Sequence, residues 1–398
     1  MRGVVFFLYA FHLLVAADGN ALVPLIPTYT TRFDLSVFDA GLLVGIPALA
    51  MLVLSLPVGL LSDRVGARVV TIAASALLTV SALGQALAGS YWVMLASWSI
   101  YGITSAIIYT AAPAWLAAAV PPHRRVTVLG GVATFAGLGL MVGPAFAGLL
   151  SERFGPGSPF LVVAIAAAAV TIGLILQPSP RAAAVAPIAG SLRALLRERH
   201  GASVLGLMFF VGALGGVVNL LVPLRLHHEG LGAGSIGIAF SATTALFVLA
   251  SIQVARLGNR VPLLAASGAA TLALGAALLL PVLAGSALLM IVFLVLRAPL
   301  WSVVSTISNP LCAHGAELAG VGTGFGLALM NLCWAAGNLS GPLAAGALAG
   351  VVGDRPVFAL LALVGAAIGI AVLRVRELPL RTPVSEVLLA DPIETGGK

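Results

Sequence analysis

Gly59-Leu60-Leu61-Ser62-Asp63-Arg64-Val65-Gly66-Ala67-Arg68 is a short polar interruption between two apolar runs, over 39–61 and 69–88. A run of about twenty apolar residues is long enough for a helix to cross a hydrocarbon core of roughly 30 Å. The interruption carries a carboxylate, two guanidinium groups and two glycines, so here the chain leaves an apolar phase, turns tightly and re-enters it. The same alternation continues in both directions. Apolar runs fall at 3–27, 39–61, 69–88, 92–113, 127–149, 158–177, 201–224, 234–254, 261–282, 285–309, 320–345 and 356–374. They predict an all-α integral membrane fold of twelve transmembrane helices.

Composition requires the same solvent. Of 398 residues 60% are hydrophobic and 8% charged, against roughly 25% charged in soluble domains. The 46 glycines suit helices that approach closely without a hydrophobic force between them. The net charge of +7 comes from basic residues scattered in short connections, which argues against nucleic acid as a partner. Cys312 and Cys333 make neither a disulfide framework nor a metal-ligand spacing with any His or carboxylate cluster. No P-loop, dinucleotide fingerprint or nucleophile elbow is present, and the connections are too short for a nucleotide-binding domain. The expectation is therefore a non-enzyme without cofactor, whose work is driven by an ion gradient.

Of the 20 Lys and Arg residues, only Arg32, Arg153, Arg225 and Arg355 fall in one set of alternate connections. Arg297 lies inside the tenth run, and all others, among them Arg2, Arg64, Arg68, Arg124, Arg125 and Arg193, lie in the other set. The positive-inside rule places that basic set, with both termini, in the cytoplasm of a multi-pass cell-membrane protein. The first run also has the look of a cleavable signal, with Arg2 before an apolar stretch and Val15-Ala16-Ala17 after it. Against this, its Asn20-x-x-x-Pro24 recurs as Asn219-x-x-x-Pro223 in the seventh run. Gly143-Pro144-x-x-x-Gly148 likewise recurs as Gly341-Pro342-x-x-x-Gly346, and Arg64-x-Gly66-x-Arg68 as Arg256-x-Gly258-x-Arg260. These matches predict two parallel six-helix bundles, 1–177 and 201–374, joined by a cytoplasmic linker at 178–200 and followed by a polar tail at 375–398.

At this point the chain resembles the major facilitator superfamily over nearly its whole length. The stretch from Gly59 through Asp63, Arg64 and Gly66 to Arg68 is similar to the family's Gly-x-Leu-Ala-Asp-Arg-x-Gly-Arg-Lys loop. The resemblance implies a conformational latch made by Asp63, Arg64 and Arg68 between glycine-permitted helix ends; a plain topology-setting basic loop is the alternative. Gly139-x-x-x-Gly143-Pro144-x-x-Ala147-Gly148 is similar to the fifth-helix motif of the family's proton-coupled exporters, and ordinary small-residue packing is the alternative there. Pro24-Leu25-Ile26-Pro27 also looks like the twelve-helix drug exporters. One family motif is missing: the fourth helix reads Trp98-Ser99-Ile100-Tyr101-Gly102 where many exporters carry an arginine before a Gln-Gly pair.

An ionisable side chain near a bilayer centre costs roughly 2.5–3.5 kcal/mol, so such residues normally serve a function. Two stand out, Asp18 in the first run and Arg297 in the tenth. The family resemblance puts both helices beside a central cavity. Neither has a counterpart in the repeat: Asp18 aligns with Val217 through the Asn-x-x-x-Pro match, and Arg297 roughly with Ser99. Asp18 is the expected proton-coupling residue, and a fixed Asp18–Arg297 ion pair is the alternative. Trp98, Tyr101, Ser105 and Tyr109 fall at spacings of three and four and share one helix face, suited to aromatic or cationic substrates or to packing. Asn20 and Asn219 either bind substrate or satisfy backbone beside the prolines. His12 is a packing residue or a proton relay.

These readings add up to a secondary transporter that exports a small hydrophobic or amphipathic compound against protons by alternating access. Its partners are the lipid bilayer, the small-molecule substrate and protons. An importer or facilitator of a polar metabolite such as a sugar or organic acid, and a non-transporting scaffold or sensor, are the alternatives.

Overall fold

The structure is a computed structural model that describes residues 2–178, 191–257, 262–283 and 285–375. The expected linker and tail are thus only partly covered: 179–190 and 376–398 lie outside the described residues, as do Gly258 and Arg260 of the repeated basic motif. Among the described residues, twelve helical spans are long and apolar enough to cross a membrane. In chain order they are Gly3–Phe33, Val37–Val65, Ala67–Ala86, Tyr91–Ala119, Arg125–Phe154, Ser158–Ile175, Arg199–His228, Ala233–Leu257, Leu263–Leu283, Ala287–Leu318, Thr323–Val352 and Asp354–Leu373. With twelve crossings, residues 2 and 375 lie on one side, here the terminal face. The connections around 34–36, 87–90, 155–157, 229–232 and 353 lie on the opposite, loop face.

Prolines set where spans bend. The first span is helical over Arg2–Ala21, tightens to a 3-10 turn at Val23–Leu25, and resumes at Ile26–Phe33. Pro24 and Pro27 have no amide to donate to the carbonyls of Asn20 and Val23, so the regular ladder lapses there. The fourth span breaks at Tyr109–Thr110 and restarts as Ala111–Ala119, with Pro113 in its first turn, where a missing amide costs nothing. The fourth and tenth spans therefore run on to Ala119 and Leu318, beyond the expected ends at 113 and 309. In the tenth the polar Ser308, Cys312 and His314 are buried within the helix rather than forming a loop, with Cys312 beside Gly326 of the eleventh span and the His314 ring against His200 of the seventh.

Glycines hold the helices together by backbone contact. A Cβ added at Gly139 or Gly143 of the fifth span would lie 2.3 Å and 2.5 Å from the carbonyl oxygens of Leu13 and Ala17 in the first. At the equivalent places, Gly337 and Gly341 of the eleventh span would meet the carbonyls of Phe209 and Ala213 in the seventh at 2.0 Å and 2.5 Å. The correspondence extends across the molecule. Gly148 meets the carbonyl of Ala233 and Gly237 that of Pro144, while Gly346 meets the carbonyl of Val37 and Gly41 that of Pro342. Two pseudo-symmetric seams, fifth against eighth span and second against eleventh, thus close the loop face. This packing register corrects one sequence alignment: Ala17 is equivalent to Ala213, so Asp18 stands opposite Leu214 and not Val217. The Asn-x-x-x-Pro match misleads because the first span breaks around Pro24, whereas the seventh runs unbroken through Pro223.

Toward the terminal face the seams part. Along the fifth span the contact with the eighth loosens from 2.2 Å at Gly148 to 4.0 Å at Gly137, where the nearest atom belongs to Val248. A Cβ at Gly130, Gly59, Gly66 or Gly324 would meet nothing within 4 Å. Contact across the seams is thus close at the loop face and looser toward the terminal face.

Candidate functional site

Asp18 is wholly buried, and it faces the third span. The Gln85 side-chain amide donates to Asp18 Oδ2 at 3.5 Å and to Ser81 Oγ at 2.8 Å, and Ser81 Oγ donates to the carbonyl of Ser97 at 2.7 Å. Ser81 and Gln85 sit four residues apart on one face of the third helix, which aligns them as a chain from the fourth span to the carboxylate. Among the described residues the other carboxylate oxygen, Oδ1, and the Gln85 Oε1 have no hydrogen-bond partner. Gln85 lies in the last turn of Ala67–Ala86, so Asp18 sits level with the loop-face end of the third helix.

The backbone around Asp18 is clamped from two sides. Gly139 and Gly143 of the fifth span press on Leu13, Ala16 and Ala17. From the fourth span, the Tyr101 hydroxyl donates to the carbonyl of Val15 at 3.0 Å, and a Cβ on Gly19 would run into that hydroxyl. Trp98 stacks on Tyr101 with ring centroids 4.7 Å apart at 15°. The expected aromatic stripe is thereby divided. Trp98, Tyr101 and Ser105 are buried beside the first span, while Tyr109, at the helix break, is 52% exposed. Among the described residues the buried Trp98 Nε1 lacks a hydrogen-bond partner. Asn20 donates to the carbonyl of Ala16 at 3.0 Å, a backbone role, and Asn219 is half-buried in the seventh span. His12 is buried with Nδ1 on the carbonyl of Leu8 at 2.7 Å.

Arg297 occupies a separate site in the second half of the chain. It is 7% exposed, and its guanidinium carbon lies 4.2 Å above the Trp301 ring, the geometry of a cation–π contact. Among the described residues its Nε and one Nη have no hydrogen-bond partner. Phe247 of the eighth span meets Trp301 edge-on at 6.2 Å. Among the described residues no ion pair joins Arg297 to Asp18, whose side chain is wholly buried. A carboxylate with one long hydrogen bond can accept a proton. A guanidinium over an indole with free N–H groups can accept an anionic or π-rich group. Gln85, Ser81, Trp301 and Phe247 were not singled out from sequence; only Trp301 carried a signal, as the aromatic residue one helical turn from Arg297.

The basic loop behaves as part of its own bundle here. Gly66 takes φ +99°, ending the second helix. Arg68 donates to the carbonyls of Gln177 at 3.0 Å and Ile175 at 2.6 Å, fastening the end of the sixth helix. Arg64 is exposed, and Gly59 and Gly66 have open space beside them. Asp63 lies in the last turn of the second helix. At the loop face, polar bonds do cross the seam. The Glu152 carboxylate accepts from the Gly234 amide at 2.8 Å, and the Ala145 amide donates to Ser241 Oγ at 2.9 Å. Pro144 and the glycines of the fifth-helix motif therefore join the Asp18 backbone on one flank to the eighth span on the other.

Residues 8–332 match the family model described as Major Facilitator Superfamily. A multi-drug resistance efflux pump PmrA homolog from Lactococcus lactis subsp. lactis (strain IL1403) is 30% identical over 162 residues, 40% of each chain. The quinolone resistance protein NorA of Staphylococcus aureus (strain MRSA252) is 25% identical over 152 residues, 38% of this chain and 39% of that one. The matches thus span about two fifths of these curated relatives. Among solved structures, a bacterial homolog to the human lysosomal transporter Spinster, inward-facing and occupied, superposes with a TM-score of 0.78 at 15% identity, covering 93% of this chain and 96% of that one. The human organic anion transporter MFSD10 gives 0.64 at 18% identity, over 93% and 99%. The family match over most of the chain and the twelve-span fold lead to one conclusion: the chain belongs to the Major Facilitator Superfamily of transporters.

Proposed function

We propose that this transporter exports a small hydrophobic or amphipathic compound in exchange for protons, with Asp18 as the residue that takes up and releases the proton. The observation that carries this reading is the burial of the Asp18 carboxylate in an apolar span with a single long hydrogen bond. A charge held there is costly, and one proton relieves it. The fifth span supports coupling, because one helix touches both the backbone that bears Asp18 and the seam that closes the loop face. A change of charge at Asp18 then has a direct mechanical route to the seam. The excess of arginines at the terminal face supports a cytoplasmic side for that face, and on this reading the looser terminal ends of the seams admit compounds from the cell interior. The short matches to named drug-resistance pumps favour the same direction.

Arg297 over Trp301 favours a second reading, uptake of an anionic metabolite. Transport by purified protein in vesicles with an imposed pH gradient separates the two. Export predicts that an inward proton gradient drives a lipophilic compound outward and that Asp18→Asn abolishes this drive. Undiminished proton-driven flux in Asp18→Asn overturns the assignment. A compound-susceptibility panel in cells with and without the protein identifies the substrate class.

A further inference from the structure

The seventh span begins at Arg199 and the twelfth ends at Leu373, one residue before Arg374, so both arginines stand at the terminal face. Between the two helices lies a groove of about 490 Å³, with Arg199 and Arg374 at its mouth. The seventh helix lines it with small residues one turn apart, Ala202, Ser203 and Gly206. A Cβ added at Gly206 would meet nothing within 4 Å, and this missing volume makes the trench. The twelfth helix supplies an apolar wall, including Ala371 and Val372. The groove is therefore cationic at the level of the membrane surface and apolar below it.

Charge at its mouth is not cancelled locally. Among the described residues neither guanidinium has an ion-pair or hydrogen-bond partner. The adjacent carboxylate, Glu198, is committed elsewhere: it accepts from the Gly201 amide at 2.6 Å and from the His200 ring at 2.9 Å. A second feature adds to the same field. The short helix Leu192–Arg197 docks through the buried Leu195 against Gly201. It leaves Leu192 and Leu196 exposed one turn apart, and Arg193 and Arg197 exposed at the same spacing. That pattern lays a helix along a membrane interface, leucines toward acyl chains and arginines toward headgroups.

We propose that this groove is a binding site for an anionic phospholipid, whose phosphate bridges Arg199 and Arg374 and whose acyl chain lies in the trench beside Gly206. Two guanidinium groups bind a phosphate by charge-assisted, often bidentate hydrogen bonds. Each basic residue near an anionic surface contributes about a fivefold gain in binding, so the pair gives about thirtyfold. The apolar wall selects a lipid over a free anion, which would gain nothing from it. The site needs no transport activity.

The test uses the full chain purified in neutral detergent, titrated with phosphatidylglycerol, phosphatidylcholine or inorganic phosphate. Thermal stability and native mass spectrometry are the readouts. Phosphatidylglycerol is expected to raise the melting temperature by about 4 °C at saturation and to remain bound in the gas phase, while phosphatidylcholine and phosphate do neither. Arg199→Gln with Arg374→Gln should weaken phosphatidylglycerol binding about thirtyfold. Gly206→Leu, which keeps both charges and fills the trench, should weaken it as well and guards against a charge variant that fails to fold. Equal shifts with phosphatidylcholine, an equal shift with phosphate, or unchanged binding in both variants overturns the proposal.

Discussion

A Cβ on Gly143 would lie 2.5 Å from the carbonyl oxygen of Ala17, the residue before Asp18, so the fifth span touches the backbone that carries the buried carboxylate with no side chain between them. The counterpart in the other half is Gly341 on Ala213, also at 2.5 Å. The two contacts are alike in packing, but only one has an ionisable residue next to it.

That difference separates structure from coupling. Gly143→Val and Gly341→Val are expected to destabilise the protein by similar amounts, about 2 kcal/mol each, because both force backbones apart in a packed seam. Gly130→Ala, which meets open space, should be neutral. Melting temperatures in detergent check this. A Gly143 variant as stable as Gly130→Ala would show that the first and fifth spans do not pack as described.

Replacing Asp18 tests whether the carboxylate is structural. Asp18→Asn keeps the shape and removes a charge that has only one long hydrogen bond, so stability should be unchanged or slightly raised. Proton-driven flux should fall by at least about a hundredfold, the lower end of what is expected when a positioned acid–base group is lost. Gln85→Leu leaves Asp18 without its donor and Ser81 without the amide, and should change the pH dependence of flux while leaving protein abundance intact. A large loss of stability in Asp18→Asn would instead mark a structural anchor.

Much of this architecture is legible in the sequence because the bilayer imposes simple rules. Twelve runs of apolar residues follow from thickness, and Asp18 and Arg297 stand out because charge there is rare. The helix ends at Ala119 and Leu318 lie beyond the apolar runs because Pro113 and Pro310 are tolerated in a first turn and in a packed helix. Gln85 carries no charge and no periodic signal, so its place beside Asp18 depends on how the first and third spans face each other. Glu152 is equally silent, since its partner is a backbone amide 82 residues away. Around Asp63, where the family resemblance implies a latch, a Cβ at Gly59 or Gly66 would meet nothing within 4 Å.

The Glu152 cap gives a handle on that conformation. The second helix caps itself, Ser36 accepting from Asp39 while Asp39 returns the bond. The eighth helix instead receives its N-terminal cap from Glu152 across the seam. Opening the loop face must break this bond. Glu152→Ala should therefore shift the balance toward the loop-open state by about 1 kcal/mol, roughly fivefold. Spin labels on the loop-face ends of the second and eighth spans would report a larger population of long distances. An unchanged distribution would show that the cap does not hold the seam.

Acid should act first on a different cap. At the start of the seventh span burial pushes the Glu198 carboxyl up, but the Gly201 amide, the His200 ring and the His200 amide together outweigh burial and hold it below its ordinary value. A carboxylate depressed in the folded state stabilises fully above its unfolded value and loses that contribution as pH falls through the folded one. Glu198→Ala should therefore cost about 1 kcal/mol at neutral pH, the usual loss for an N-cap. The gap to the unsubstituted protein should close only as pH falls below the ordinary glutamate range of about 4.3. His200→Phe removes the ring's bond and keeps the Gly201 amide, so its cost should be smaller and follow the same pH course. Melting temperatures from pH 3 to 8 measure both. A gap that stays constant down to pH 3 would mean that the Glu198 charge does not hold this helix end, and that the buried packing of His200, Gly201 and Gly315 does so alone.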